Sequence, residues 1–297
     1  MKFPSRLWTS IQEKGSPAVV GLDPRPQHLP EPFHSMAKNG LPETMQALTQ
    51  YHSALLDVLA PKISAIKPQA AFFEQFGADG FHALADTVAA AKDRGLLVIL
   101  DVKRGDIGST STAYANAFLG GANNSFPPAD ALTINPYLGE DACQPFIEAA
   151  RKQSAGLFFL VKTSNPGAGL FQEHGTPPLA DIVAKAVSRW GQSDIDESGW
   201  SAVGAVVGAT RPHELAHFRS LMPKSPFLLP GFGHQGGGAS GLEPAFSNGM
   251  GAIVNSSRGI LWAHERKDLA HIQGWQNQVD AALNEMIEAL KHLSPQT

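Results

Sequence analysis

The sequence predicts an α/β protein built as a single (β/α)8 barrel, also called a TIM barrel, with one domain over residues 1–297. Two patterns support this prediction. Eight short apolar runs rich in β-branched residues alternate with stretches in which apolar residues recur at helical spacing. That alternation indicates a parallel sheet, and eight repeats in a chain of this length are typical of a closed barrel. The composition, 43% hydrophobic and 17% charged, supports a sizeable core.

The predicted elements follow one another without a linker that would divide the chain. The strands are expected at residues 18–23, 63–66, from 96 onward, and at 130–135, 156–162, 202–207, 227–229 and 252–254. After a short amphipathic start and a proline-containing loop at 24–42, helices are expected at 42–59, 78–91, 110–119, 141–152, 178–190, 212–221 and 272–293.

Charge and cysteine content exclude several functional classes. The formal net charge of −4 gives no support for nucleic-acid binding through a basic surface. A single cysteine, Cys143, excludes an intrachain disulfide and fits a reducing compartment. The first residues contain no apolar run of signal-peptide length, and no segment reaches the roughly 18 apolar residues of a membrane span. We therefore expect a cytoplasmic protein with neither nucleic acid nor membrane as a partner.

The third predicted strand ends in a cluster of charges. Asp101 and Lys103 are two residues apart, so both side chains are expected on the same face of the strand. Asp106 follows in a turn that contains glycine. Because an unpaired buried charge is strongly unfavourable, these groups must pair with one another or with a ligand. A purely structural cluster of ion pairs is the alternative to a functional site.

Polar residues also follow other strands at the end where barrel enzymes place their active sites. The glycine-rich loop after the seventh strand and Arg258 after the eighth match the usual phosphate site of such barrels. Gln235 in that loop can donate a hydrogen bond, and Arg258 can form a bidentate pair with an anion. A plain flexible loop is the alternative. The residues at these strand ends are Asp23, Lys67, Asp101, Lys103, Ser164, the segment 231–237 and Arg258.

Two short motifs point to other chemistry but lie in the wrong context. Residues 231–236 read G-x-G-x-x-G, the dinucleotide fingerprint, yet they follow the seventh strand, and the next strand ends in Asn255 instead of an acid. Residues 213–217 read H-E-x-x-H, as in zinc proteases. Pro212 opens that helix on the outside of the barrel, so we interpret the histidines as a solvated helix face. A zinc hydrolase remains the alternative.

At this point the motifs resemble one known family. Asp101-x-Lys103-x-x-Asp106-Ile107-x-x-Thr110 resembles the D-x-K-x-x-D-I-x-x-T element of the orotidine 5′-monophosphate decarboxylase family. The matches run in the family's order from Gly21 to Gly259, and the ordered set is far more specific than any one motif. Four more are similar to the longer, bacterial-type (type 2) branch: Lys67-Pro-Gln-x-Ala-Phe-Phe-Glu74, Thr163-Ser-Asn165, Pro230-Gly-x-Gly-x-Gln-Gly236 and Ser257-Arg258-Gly259.

The resemblance implies a role for each matching residue. The alternating charged array of the catalytic centre would be Lys67, Asp101, Lys103 and Asp106. The last of these, with Ile107 and Thr110, would reach into a neighbouring subunit's site, so the resemblance implies a homodimer with shared active sites. The substrate-binding residues would be Asp23 and Lys67 at the ribose, Ser164 at the pyrimidine edge, Gln235 and Arg258 at the 5′-phosphate, and Pro230, Gly236 and Ser257 beside them.

The implied activity is cofactor-independent decarboxylation of orotidine 5′-monophosphate to uridine 5′-monophosphate and CO2, the last step of de novo UMP synthesis. No metal or cofactor is expected. Lys103 would stabilise the carbanion at C6 and protonate it, while Asp101 would face the departing carboxylate. Two alternatives stay open. One is a sugar-phosphate decarboxylase or synthase of the same barrel type, which typically uses Mg²⁺, and the other is a non-catalytic nucleotide-binding barrel.

Overall fold

Eight parallel strands close into a barrel in which each strand pairs with the next and the eighth pairs with the first. The structure is a computed structural model that describes residues 1–122, 124–208, 212–233 and 239–294. The closed barrel of eight parallel strands confirms the predicted fold class. The strands are β1 (Ala18–Leu22), β2 (Ala65–Pro68), β3 (Leu97–Arg104), β4 (Ala131–Ile134), β5 (Gly156–Lys162), β6 (Val203–Val207), β7 (Phe227–Pro230) and β8 (Ala252–Ser256).

Helices surround the barrel, and the long ones agree with the predicted ranges to within a few residues. The second strand starts two residues later than predicted, because Ile63 and Ser64 still belong to the connection from the preceding helix. The proline-containing loop also holds short helical turns. The helices are α1 (Phe3–Lys14), α2 (Phe33–Met36), α3 (Leu41–Leu59), α4 (Ala71–Glu74), α5 (Gly77–Asp93), α6 (Gly108–Leu119), α7 (Glu140–Gln153), α8 (Gly169–Gln172), α9 (Leu179–Trp190), α10 (Pro212–Leu221), α11 (Arg258–Leu261) and α12 (Trp275–Leu290). Within the described ranges, none of them is long and apolar enough to cross a membrane.

Helix α1 covers the amino-terminal end of the barrel. The ring of Phe3 packs edge-on against Phe158 of β5, with 6.1 Å between centroids, and Trp8 packs against Trp200 at 5.8 Å. Gly156 makes room for this helix, since a Cβ at that position would lie 2.3 Å from the Phe3 ring. Burial of these large rings stabilises the closed end of the barrel.

Inside the barrel, the inward-facing positions change from apolar to polar toward the carboxyl ends of the strands. Side chains two residues apart on a strand face the same side, so the apolar layer formed by Ala65, Ile99 and Ile253 continues into a second layer. That second layer is polar on one side of the barrel and apolar on the other. Its polar members are Lys67, Asp101, Thr133 and Asn255, and its apolar members are Leu160, Val206 and Leu228. Gly21 of β1 pairs with Lys67 at this level, and Asp23 follows just beyond the end of β1.

Candidate active site

A cavity of about 380 Å³ opens at the carboxyl ends of the strands, above this mixed layer. It brings together residues from all eight strands or from the loops that follow them. Eight of the predicted site residues line it: Asp23, Lys67, Asp101, Lys103, Ser164, Pro230, Ser257 and Arg258. Of the other five, Asp106, Ile107 and Thr110 do not line it, and Gln235 and Gly236 lie outside the described residues.

Asp101 accepts hydrogen bonds from four other side chains that line the cavity. Its Oδ2 accepts hydrogen bonds from Lys67 Nζ at 2.8 Å and from Gln69 Nε2 at 3.0 Å. Its Oδ1 accepts from Lys103 Nζ at 2.5 Å and from Thr133 Oγ1 at 2.8 Å. Burial alone would raise the pKa of Asp101, but the two lysines outweigh it and hold that pKa well below its usual range. Asp101 is therefore an anion at neutral pH.

Lys67 is the buried cation of the cluster, with about 5% of its surface exposed. Burial disfavours its charged form, yet the neighbouring carboxylates of Asp101 and Asp23 raise its pKa above the ordinary value. Lys67 therefore keeps its charge although it is almost fully buried. Such a lysine sits in a fixed position and is available to hydrogen-bond a ligand.

Lys103 is presented to the cavity by an irregularity in β3. Its φ of +45° lies in the left-handed region, which costs a non-glycine residue free energy. The pairing of β3 with β4 shifts register between Leu100 and Arg104, and the Lys103 N–H donates to Thr133 Oγ1 at 3.0 Å. The side chain remains 44% exposed, so its ammonium faces the open part of the cavity. This local strain aims the lysine at the position where a ligand would bind.

Thr133 and Gln69 are polar contacts of Asp101 to which our sequence analysis gave no role. Thr133 lies at an inward position of β4 and contacts both Asp101 and the Lys103 backbone. A single threonine within the apolar run 131–134 was the available signal. Gln69 is the third residue of the Lys67-Pro-Gln motif, and it forms an isolated bridge with Asp101.

The loop after β5 that carries Ser164 is held by side chains of α8 and the residue after it. Gln172 accepts from the Thr163 N–H at 2.9 Å through Oε1 and donates to Thr163 Oγ1 at 2.7 Å through Nε2. The hydroxyl of Thr163 in turn donates to Asn165 Oδ1 at 2.6 Å. Lys162 Nζ pairs with Glu173 Oε1 at 2.5 Å. These contacts fix the turn that borders the cavity opposite β1.

Arg258 lies at the other side of the cavity, at the start of α11. Within the described ranges, its guanidinium forms neither a hydrogen bond nor an ion pair with another residue. The adjoining loop is tied to β8, because the Phe232 N–H donates to the Asn255 carbonyl at 3.2 Å and Ser256 Oγ donates to the Phe232 carbonyl at 3.1 Å. His234, which the motifs left without a role, lies outside the described residues.

Asp106, Ile107 and Thr110 lie on the surface at the start of α6. Asp106 Oδ1 accepts from the Ile107 N–H at 2.8 Å, a hydrogen bond between neighbouring residues just before α6. Ile107 is 59% exposed, which is unusual for a large apolar side chain. Two more large apolar side chains are exposed on the loop after β4, Tyr137 at 73% and Leu138 at 50%.

The H-E-x-x-H motif lies on the outer helix α10. His213 and His217 are exposed, and His217 Nε2 contacts Asp181 Oδ1 of α9 at 2.9 Å. The interpretation as a solvated helix face is confirmed. No cluster of three or more His, Cys, Asp or Glu side chains suited to a metal occurs in the part of the chain that the structure describes.

Residues 19–271 match the Orotidine 5′-phosphate decarboxylase / HUMPS family. The chain belongs to this family. An orotidine 5′-phosphate decarboxylase of Rhodopirellula baltica is 44% identical over 98% of this chain and 99% of its own length. One from Deinococcus radiodurans is 43% identical over 82% of this chain and 83% of its own. The structure of Leishmania donovani OMP decarboxylase, 31% identical, superposes with a TM-score of 0.74 over 99% and 98% of the two chains.

Family membership confirms the resemblance drawn from the motifs. The assignment to the type 2 branch stays a prediction. The roles of the residues in the charged cluster at the carboxyl ends of the strands also stay predictions.

Proposed function

We propose that this protein catalyses the decarboxylation of orotidine 5′-monophosphate to uridine 5′-monophosphate and CO2, the last step of de novo UMP synthesis, without a metal or cofactor. The observation that carries the proposal is the chain of ion pairs Lys67–Asp101–Lys103 at the carboxyl ends of the strands. Membership of the decarboxylase family supports it.

The cavity offers a matching group for each part of the nucleotide. Arg258 is a cation without a protein partner among the described residues, suited to the 5′-phosphate. Asp23 and Lys67 are suited to the ribose, and Ser164 to the edge of the pyrimidine. Gln235 and Gly236, which lie outside the described residues, complete the phosphate site in this proposal, together with Pro230 and Ser257.

The chemistry requires a proton donor where negative charge develops. Loss of CO2 leaves an electron pair on C6 of the pyrimidine that the ring does not delocalise. Lys103 is expected to stabilise that charge with its ammonium and then to donate the proton to C6, which gives uridine 5′-monophosphate. The hydrogen bond from Thr133 to Asp101 and the strained backbone of Lys103 fix the ammonium before substrate binds.

Asp101 contributes in a second way, because it stays ionised beside the substrate carboxylate. Two like charges about 4 Å apart repel by roughly 4 kcal/mol at an effective dielectric of about 20. That amount is small beside the acceleration that this reaction demands. Binding of phosphate and ribose must therefore supply the rest by positioning the reacting centre.

The test is turnover of orotidine 5′-monophosphate by the purified protein in EDTA, followed by the change in ultraviolet absorbance and by chromatography of the product. We expect stoichiometric uridine 5′-monophosphate. Loss of activity in EDTA with recovery in Mg²⁺ would favour a sugar-phosphate enzyme of the same barrel type. Tight nucleotide binding without turnover would favour a non-catalytic barrel.

We further propose a homodimer in which Asp106, Ile107 and Thr110 complete the partner's site. The exposed apolar side chains Ile107, Tyr137 and Leu138 lie on neighbouring loops and suit a second copy of this chain. The two variants Lys103→Ala and Asp106→Ala, unfolded, mixed and refolded together, test whether the active sites are shared. Half of the resulting dimers should be mixed, each with one intact site, so activity should return to about a quarter of the wild-type value. Dimers that regain no activity would contradict shared sites.

The single-domain assignment over 1–297 and a cytoplasmic location stay proposals. The one cysteine, Cys143, is buried and unpaired, which fits a reducing compartment.

A further inference from the structure

Arg104, the last residue of β3, directly follows Lys103 and has no role in the proposed catalytic array or phosphate site. Its guanidinium forms an ion pair with Glu74, the last residue of α4. The same guanidinium lies over two rings of α6, 5.6 Å from the centroid of Tyr114 and 5.7 Å from that of Phe118. The side chain of Arg104 therefore joins the end of β3 to two of the helices around the barrel.

The backbone next to Arg104 is the stretch that carries the strain at Lys103, whose φ is +45°. On one side, Arg104 Nη1 donates to the Val102 carbonyl at 3.1 Å. On the other side, the Arg104 carbonyl accepts from the Asn135 N–H at 2.9 Å. Gly105 lies so close to β4 that a Cβ there would stand 2.7 Å from the Asn135 carbonyl oxygen. The residues before and after Lys103 are therefore both held in place.

Helix α4 can anchor the ion pair because it is itself tied to β3. The Ala70 N–H donates to the Asp101 carbonyl at 3.2 Å, and Gln69 forms a bridge with the same residue. Phe73, which precedes Glu74, is fully buried. The two side chains of the ion pair are only 26% and 28% exposed, so water and salt screen their attraction less than on an open surface.

We propose that Arg104 and Glu74 are positioning residues, whose ion pair holds the backbone of Lys103 in its strained conformation and thereby aims the Lys103 ammonium at the reacting carbon. This inference rests on the proposed function for the reaction itself. A strained φ persists only where the surrounding contacts over-determine it. Neither residue of the pair lines the cavity, so the pair acts on the chemical step and not on nucleotide binding.

The test compares Arg104→Met and Glu74→Met with wild type in single-turnover decarboxylation of orotidine 5′-monophosphate and in binding of uridine 5′-monophosphate. Both variants should lose about 10- to 100-fold in rate, because a shift of about 1 Å in a catalytic group has an effect of that size. The dissociation constant should stay within about threefold. The double variant should lose no more than Arg104→Met alone, since the two residues act as one unit. If Arg104→Met does not fold, Glu74→Met carries the test.

Arg94→Met is the matched control for the loss of a partly buried arginine. Arg94 precedes the opposite end of β3, is 24% exposed and pairs with Asp57 at 2.7 Å. This variant should lower the free energy of unfolding about as much as Arg104→Met while it keeps the wild-type rate. An equal loss of rate in Arg94→Met and Arg104→Met would overturn the inference, because the effect would then follow stability and not position.

Hydrogen exchange at the Lys103 amide supplies a readout that needs no turnover. That N–H donates to Thr133 Oγ1 at 3.0 Å, so release of the strained backbone should expose it. Exchange should become about tenfold faster or more in Arg104→Met and Glu74→Met, and it should stay unchanged in Arg94→Met. Wild-type exchange in both clamp variants, or a loss of rate matched by an equal loss of nucleotide affinity, would overturn the inference. Faster exchange in these variants of a protein that does not decarboxylate the nucleotide would instead contradict the proposed function alone.

Discussion

Replacing Asp101 with Asn is expected to destabilise the fold strongly, because this carboxylate neutralises a buried lysine. Lys67 Nζ lies 2.8 Å from Asp101 Oδ2, and both residues are about 5% exposed. At that distance and an effective dielectric of about 20, the attraction is roughly 6 kcal/mol. Removing one partner of a buried pair typically costs about 3–5 kcal/mol, since the other charge loses its compensation. The half-exposed Lys103 adds little to this loss of stability.

The assay is urea unfolding at pH 7 and again near pH 9.5. In Asp101→Asn, burial is expected to lower the pKa of Lys67 in the folded state below its unfolded value. The unfolded variant then binds more protons than the folded one, so its free energy of unfolding should rise with pH. In wild type the raised pKa of Lys67 gives the opposite trend at high pH. Thr133→Val, which removes two hydrogen bonds and no charge, should cost about 1–3 kcal/mol without this pH dependence. A free energy of unfolding for Asp101→Asn within about 1 kcal/mol of the wild-type value at pH 7 would refute the reasoning.

Two further predictions concern the anion site and the core. Arg258→Ala should raise KM about 10- to 100-fold through loss of a charge-assisted contact to phosphate. The control Arg189→Ala, on the exposed surface, should leave KM unchanged. An unchanged KM in Arg258→Ala would remove Arg258 from the phosphate site. Burial lowers the pKa of His52 from 6.5 to about 4, so wild type should lose up to roughly 3 kcal/mol of unfolding free energy between pH 6.5 and 4. His52→Gln does not titrate and should lack that part of the loss in acid unfolding curves; identical curves would show that His52 does not control it.

Much of the barrel could be predicted because its signals are local. An apolar run bounded by turns marks a buried strand, and the order of strands and helices then limits the topology. The same logic placed Asp23, Lys67 and Arg258 at one end of the barrel, since parallel strands in a closed sheet end on the same face. The ordered motifs added the identity of the family.

Features that depend on contacts between strands could not be predicted in this way. The left-handed backbone of Lys103 follows from the register of β3 against β4, which no single-strand pattern contains. Helix α1 reads only as an amphipathic start, and its place over the end of the barrel depends on Phe158 and Trp200. Arg104 is an unassigned position of the D-x-K motif in the sequence, and its contact with Glu74 exists only once α4 lies beside β3.

The central claim is that the Lys103 ammonium carries the chemical step, and Lys103→Ala tests it most directly. Decarboxylation of orotidine 5′-monophosphate should be measured in single turnover, together with the dissociation constant of uridine 5′-monophosphate. We predict a loss of about 10⁴-fold or more in the rate, because both charge stabilisation and the proton donor are removed. Nucleotide binding should stay measurable, and Lys185→Ala on the exposed face of α9 should behave as wild type. Turnover by Lys103→Ala at a rate near that of wild type would contradict the account.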